Sequence, residues 1–270
     1  SFNYIYIYIY IYMSKNLQLV EEKKKCINFF NIFNKEDKFT CCICKNPNNI
    51  HIGYSSTGRK RYLCRCGARE RQRGLLFLIL FFTEICNQKD IKLLHTSPAF
   101  ELSLINLVKS INPSINYLTS DIKDKSCNIL LDLVNIQDEH INNYNYIINI
   151  HVLEHIRIKE DVFKVIDNIY SMLKDNGIAI IAVPQDFKLD IDILEDPNAD
   201  PNPDHWRKFG CNFINLLDKF TKVELVFDTS FDIIKTKLIT NDIQYKDLFL
   251  DMKREGYYYA DGQVFYICHK

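Results

Sequence analysis

Glycine is scarce in this chain, with eight in 270 residues. A glycine-rich loop that brings backbone amides close to a phosphate therefore has little to draw on. Net charge is missing too: 34 Lys and Arg balance 34 Asp and Glu. That argues against a globally basic nucleic-acid binder and leaves only local patches. No apolar run approaches the ~20 residues of a membrane span. Leu75 to Phe82 has only eight residues and predicts a buried helix. No basic segment precedes a true apolar signal core, so a secretion signal is not expected. These absences describe a soluble, cytoplasmic chain with no membrane partner.

Apolar residues make up 47%, enough for a sizeable core. The length suits one large α/β domain plus a small module. Residues 1–12 form a low-complexity tail in which Tyr and Ile alternate from Tyr4 to Tyr12. A free strand of that pattern would aggregate. It reads instead as a translated leader, with Met13 as the natural start. Residues 13–38 are Lys-rich, and Leu17, Leu19, Val20, Ile27 and Phe30 follow a helical pattern, so a leading helix is expected there.

Five of the ten cysteines cluster at Cys41, Cys42, Cys44, Cys64 and Cys66. Without a secretion signal this pattern favours metal over disulfides. Cys41-x2-Cys44 and Cys64-x-Cys66 stand nineteen residues apart, close to the spacing of a zinc ribbon. Residues 39–74 are therefore expected to hold one structural zinc on Cys41, Cys44, Cys64 and Cys66. The second pair is one residue short, and Cys42 is a spare ligand. The bland alternative is two incidental pairs of reduced thiols. Arg59, Lys60, Arg61, Arg65, Arg69, Arg71 and Arg73 crowd the second pair against a single Glu70. That patch could hold an RNA backbone, or be a solvated face with some arginines paired to carboxylates.

From residue 75 onward, helices and strands alternate. Strands are expected at Ile91–His95, Ile115–Leu118, Ile129–Leu131, Tyr144–Ile150, Ile178–Val183, Val223–Phe227 and Gln263–His269. Helices are expected at 75–86, 100–109, 160–174 and about 206–219, while 229–261 reads as irregular or helical. A Pro-rich acidic loop spans Glu195–Asp204. Strand–helix–strand repetition implies a parallel sheet. Open parallel sheets bind ligands beyond the carboxyl ends of their strands.

The most informative stretch is there. A β-branched run ends in His151, Glu154 and His155. Three titratable groups at a strand end are costly unless something uses them. Asp121 follows the second strand, where an acid can accept both hydroxyls of a ribose. Asp132-Leu133 follows the third, where an acid and an apolar residue can hold and cover a purine. His95-Thr96-Ser97-Pro98-Ala99 follows the first, without glycine.

Together these motifs resemble the zinc-ribbon-bearing class I S-adenosylmethionine-dependent methyltransferases. The similar stretches are Cys66-Gly67-Ala68-Arg69-Glu70-Arg71-Gln72-Arg73, Leu94-His95-Thr96-Ser97-Pro98, His151-Val152-Leu153-Glu154-His155, Glu195-Asp196-Pro197 and Asp204-His205-Trp206-Arg207-Lys208-Phe209-Gly210. They span roughly residues 39–228. The resemblance implies a Rossmann-like, mostly parallel α/β sheet with an antiparallel last strand over 75–270, behind a small zinc ribbon. It implies S-adenosylmethionine held by His95, Thr96, Ser97, Asp121, Asp132, Leu133 and His151. Ala99 stands where such proteins often have Glu, and Glu101 is the stand-in. His151, Glu154, His155 and His205 are the catalytic candidates. His151 is the candidate base, because imidazole exchanges protons near neutral pH. Glu154 and His155 are placed on the first turn of the next helix, where they could instead hold a divalent ion, and His205 could complete either arrangement.

The acceptor is not fixed. A small hydroxylated metabolite or glycan is favoured. RNA or protein through the basic ribbon is the alternative, as is a non-catalytic binding module. His151-x-x-Glu154-His155 also matches a zinc-protease signature, but that needs both histidines on a helix, and here His151 closes a strand.

Overall fold

The computed structural model describes residues 22, 41–46, 50–54, 60–98, 101–185, 189, 193–194, 205–229, 232–239 and 263–270. The tail, the leading helix apart from Glu22, Arg59, Ala99 and the Glu195–Asp204 loop lie outside these residues. The chain divides into two units. One comprises Ser1–Ile91, Ala99–Asn116 and Ser230–Ile233; the other comprises Lys92–Pro98, Tyr117–Thr229 and Ile234–Lys270.

In the first unit, β1 (Ile50–Tyr54) and β2 (Lys60–Cys64) pair antiparallel. Helix α1 follows at Glu70–Phe81. It starts five residues before the apolar run that predicted it at Leu75. The cause is a cap: Gln72 Oε1 accepts the Arg69 amide at 2.9 Å. Leu75, Leu76, Phe77, Leu78, Ile79 and Leu80 are all buried. Helix α2 (Leu102–Ile111) buries Leu104, Ile105, Leu107, Val108 and Ile111, the spacing of one helical face. Two bonds tie it to the cysteine segment. Gln72 Nε2 donates to Glu101 Oε1 at 2.8 Å, and Ser103 Oγ donates to the Cys66 carbonyl at 3.2 Å.

The second unit is built on strands β3 (Lys92–Thr96), β4 (Asn116–Asp121), β5 (Ile129–Leu130), β6 (Tyr144–Ile150) and β7 (Leu173–Ala182). A short pair follows, β8 (Ile193–Leu194) with β9 (Lys208–Phe209), then β10 (Lys222–Thr229), β11 (Asp232–Ile239) and β12 (Gln263–His269). The sheet order is β11-β10-β12-β7-β6-β3-β4-β5. β3 with β6, β6 with β7, and β4 with β5 run parallel. β12 runs antiparallel to both β7 and β10, as expected of the last strand. The order reverses between β3 and β6, and that reversal is the switch point beside which open sheets bind ligands.

β6 is buried on both faces along nearly its whole length, which explains its continuous Ile run. Helix α3 (Lys159–Met172) turns Val162, Val165, Ile166, Ile169 and Met172 inward at helical spacing. These residues join Ile147, Ala179, Ile181, Phe209, Phe213, Phe220 and Tyr266 in one core.

Four elements differ from expectation. β7 begins at Leu173, straight after α3, and Asp175-Asn176-Gly177 forms an irregularity inside it, with Asn176 at φ 61°. Residues 211–217 form a 3-10 turn rather than a long helix. Residues 232–239 form a strand, whereas the sequence reads as irregular or helical over 229–261. Glu154 and His155 lie on a separate 3-10 turn, Leu153–His155, and not on α3. At Gly177 an added Cβ would meet the Lys174 carbonyl at 2.8 Å and the Leu173 side chain at 3.1 Å. Gly177→Ala should therefore destabilise the chain by about 1–3 kcal/mol, read as a lowered denaturant midpoint at unchanged slope.

Candidate functional site

The cysteine cluster belongs to the first unit. Sulfurs of Cys41, Cys44, Cys64 and Cys66 all lie within 4.8 Å of one another. Cys41 Sγ is 3.9 Å from Cys66 Sγ, and Cys44 Sγ is 3.5 Å from Cys64 Sγ. A tetrahedron with zinc–sulfur bonds of ~2.3 Å has edges of about 3.8 Å, so the donor set fits zinc. Cys42 is buried but stands outside the four. The shortened second pair is absorbed by its turn. After Cys44, Lys45 takes φ 60° and its amide donates to the Cys41 carbonyl at 2.7 Å. After Cys66, Gly67 takes φ 87° and its amide donates to the Cys64 carbonyl at 2.9 Å. A left-handed residue follows the second ligand in both turns, and the missing residue only tightens the loop. Burial pushes the Cys64 thiol up to about 12 and the Cys41 thiol well above its ordinary range. A cation that replaces those protons relieves that cost. Of the basic residues nearby, Arg73 is buried and donates to the Ala68 carbonyl at 3.2 Å, so it is not a surface charge.

The other candidates, apart from Glu101, fall in the second unit, and all of these but His205 stand at the carboxyl ends of its strands. Ser97 leaves β3 at φ 45°. Its hydroxyl donates to Asp121 Oδ2 at 2.7 Å. Asp121 Oδ1 accepts the amides of Lys123 and Asp124 at 2.8 and 3.0 Å. Burial raises the Asp121 pKa, but these hydrogen bonds outweigh it and hold the carboxyl below its usual range. Ser97 and the amides of Lys123 and Asp124 fill most of the carboxylate's acceptor sites, and the Ile122 amide faces it as well. Ile122, next in sequence, is 59% exposed, unusual for an isoleucine.

Asp132 accepts the Val134 amide on Oδ1 at 2.9 Å and Asn135 Nδ2 on Oδ2 at 2.8 Å. Leu133 is half-buried, and its carbonyl accepts Asn168 Nδ2. His95 is buried with Nδ1 2.8 Å from Tyr117 Oη. Thr96 Oγ1 donates to the Ile148 carbonyl and accepts from Asn149 Nδ2. Asn149 itself was not singled out in the sequence. Its Oδ1 is buried with no partner among the described residues. Glu101, the stand-in for Ala99, belongs to the first unit and binds Gln72.

His151 follows β6 at φ 55°, a conformation His adopts more readily than most residues. Its amide donates to the Ala182 carbonyl at 2.8 Å, and its Nδ1 lies 3.0 Å from Glu154 Oε1. Glu154 is fully buried, and its Oε2 has no hydrogen-bond partner among the described residues. His205 arrives from fifty residues away in sequence. The Trp206 amide donates to the Glu154 carbonyl at 2.8 Å. The Arg157 guanidinium lies over the Trp206 ring at 4.9 Å. Arg207, buried, donates to the Arg157 carbonyl at 2.5 Å. Gln185 fastens the same segment to the sheet: it donates to the Gly210 carbonyl and accepts from Tyr266 Oη. His155 and His205 rings meet edge to face at 5.0 Å. Donor atoms of Glu154, His155 and His205 lie within 4.8 Å of one another. His151 is not in that trio, so the zinc-protease arrangement does not form.

The sequence matches no protein-family model and no curated protein. In structure, the chain aligns with a SAM dependent methyltransferase from Archaeoglobus fulgidus at a TM-score of 0.51 and 14% identity, covering 74% of this chain and 94% of that one. Two structures of N-methyltransferase NodS from Bradyrhizobium japonicum WM9, the first in complex with S-adenosyl-L-homocysteine, align at TM-scores of 0.43 and 0.42 and identities of 12% and 13%. Those alignments cover 74% of this chain, and 86% and 94% of theirs. Among the described residues, no helix is long and apolar enough to cross a membrane. The eight-stranded unit has the fold of the class I S-adenosylmethionine-dependent methyltransferases.

Proposed function

We propose that this chain is an S-adenosylmethionine-dependent methyltransferase acting on a hydroxyl of a small metabolite or glycan. The observation that carries the reading is Asp121: a carboxylate at the strand end beside the switch point, oriented and held charged by Ser97 and backbone amides. Such a carboxylate suits a ribose hydroxyl. Nearby, the ends of β3 and β6 carry the orphan acceptor Asn149 Oδ1, which suits a cationic ligand. Acceptors for both a hydroxyl and a positive charge fit this cofactor. Asp121 would hold the ribose. Ile122 and Leu133 would flank the adenine, with Asp132 at its amino group.

When bound, the cofactor supplies an electrophilic methyl group. The chain's residues position the acceptor and take its proton. With Glu154 ionised, its Oε1 accepts from His151 Nδ1, so the neutral ring carries its proton there. A buried carboxylate behind the ring then stabilises the imidazolium that forms. The His151 side chain is 20% exposed, so it is reachable from solvent. In the first unit, Cys41, Cys44, Cys64 and Cys66 would hold one zinc that shapes the fold and does no chemistry.

Calorimetry with S-adenosylmethionine tests the reading. The wild-type chain should bind it, and Asp121→Asn should weaken binding by about 10- to 150-fold. That range corresponds to the ~1.5–3 kcal/mol of one hydrogen bond to a charged group. It is smaller than two free ribose bonds would give, because protein donors already fill most of the acceptor sites of Asp121. A wild-type chain that does not bind the cofactor would remove the proposal.

A further inference from the structure

We infer that Glu154, His155 and His205 form a second metal site, for a first-row divalent cation, with coordination positions left open to an oxygen of the methyl acceptor. The role given to the acceptor rests on the methyltransferase reading; the metal site does not.

The argument begins with Glu154. A fully buried carboxylate oxygen with no partner carries a large desolvation cost, and something normally satisfies it. Oε1 already serves His151. Two imidazoles, His155 and His205, bring ring nitrogens within 4.8 Å of a Glu154 carboxylate oxygen and of each other. Two histidines and one carboxylate suit zinc, iron, cobalt, nickel or manganese, and three protein ligands leave positions open.

A cation about 2.1 Å from each ligand needs them roughly 3.0–3.4 Å apart. The trio must close by at most about 1.4–1.8 Å. His155 is exposed, and the Trp206–Glu154, Arg207–Arg157 and Arg157–Trp206 contacts hold the two segments together. Those contacts make His205 part of the strand-end site despite its distance in sequence. A metal here would draw an acceptor hydroxyl toward itself and make its proton easier to remove, beside His151. Glu154 would then link the candidate base and the metal through its two oxygens.

The test adds Co2+ to the full chain with its cysteine site already filled by zinc. One further equivalent should bind, with weak visible bands of nitrogen and oxygen ligation and no thiolate charge-transfer band. His205→Ala and His155→Ala should each weaken that binding at least ~10-fold while leaving thermal unfolding unchanged. Glu154→Gln should abolish it, and its folding is checked on the same melt. No second equivalent, a thiolate band on that equivalent, or equal binding in both histidine variants would overturn the inference and leave Glu154 as a partner of His151 alone. S-adenosylmethionine binding is measured on the same preparation. A chain that binds the cofactor but no cobalt fails this inference only; one that binds cobalt but no cofactor fails the methyltransferase reading only.

Discussion

Removing zinc from the cysteine cluster should unfold the first unit while the eight-stranded sheet survives. Zinc–thiolate sites of this size supply about 10–16 kcal/mol of apparent binding free energy, more than a small module's own core. Without the metal, four thiols sit together, two of them held protonated by burial. The loss should not stop at the cysteines. The Cys66 carbonyl accepts from Ser103 at the start of α2, and Gln72 at the start of α1 donates to Glu101. Hydrogen exchange after chelation should therefore show protection lost across Lys60–Cys64, Glu70–Phe81 and Leu102–Ile111. Amides of β6 and β7 should stay protected. Cys44→Ser should give the same pattern and less than one zinc per chain. Freshly purified, reduced protein without zinc would remove the assignment. Equal loss of protection in β6 and β7 would show that the sheet depends on the metal.

Much of the sheet was legible because its central strands are buried on both faces. The Ile run of β6 and the spacing of Val162, Val165, Ile166 and Ile169 each have one sensible reading. Strand β11 was not legible. Asp232–Ile239 has two lysines among its isoleucines, and no Asn-Gly or Asp-Gly pair stands between it and β10 to mark a hairpin. The start of α1 was missed because Glu70-Arg71-Gln72-Arg73 read as a basic patch, whereas Gln72 acts as a cap and Arg73 is buried.

The site divides in the same way. Asp121 and His151 could be named from their positions at strand ends. The partners that fix them could not. Ser97 reaches Asp121 only because β3 and β4 are neighbours. His205 is expected from the sequence to complete the Glu154 and His155 arrangement, but the backbone bond from Trp206 to Glu154 that brings it there leaves no trace in side-chain identity. Asn149 looked like one more residue of a buried strand, yet it carries an orphan acceptor.

His151→Asn should leave cofactor affinity within a few-fold of wild type and lower turnover by about 10²–10⁴, the usual range for losing an acid–base group. Asparagine suits this test for a structural reason. His151 sits at φ 55°, and Asn is among the side chains that tolerate that region best, so the loop can keep its shape. Its amide can still reach Glu154, but it cannot take a proton from the acceptor. Formation of S-adenosylhomocysteine from S-adenosylmethionine in the presence of a mixture of small hydroxylated acceptors gives the rate, and calorimetry gives the affinity. If His151 only shapes the pocket, affinity and turnover should fall together. If the metal trio alone activates the acceptor, chelators should abolish wild-type turnover while the Asn variant keeps most of its rate. Turnover of that variant within a few-fold of wild type would rule out a catalytic role for His151. It would also leave Glu154, buried and shared between His151 and the trio, as the group around which the chemistry is arranged.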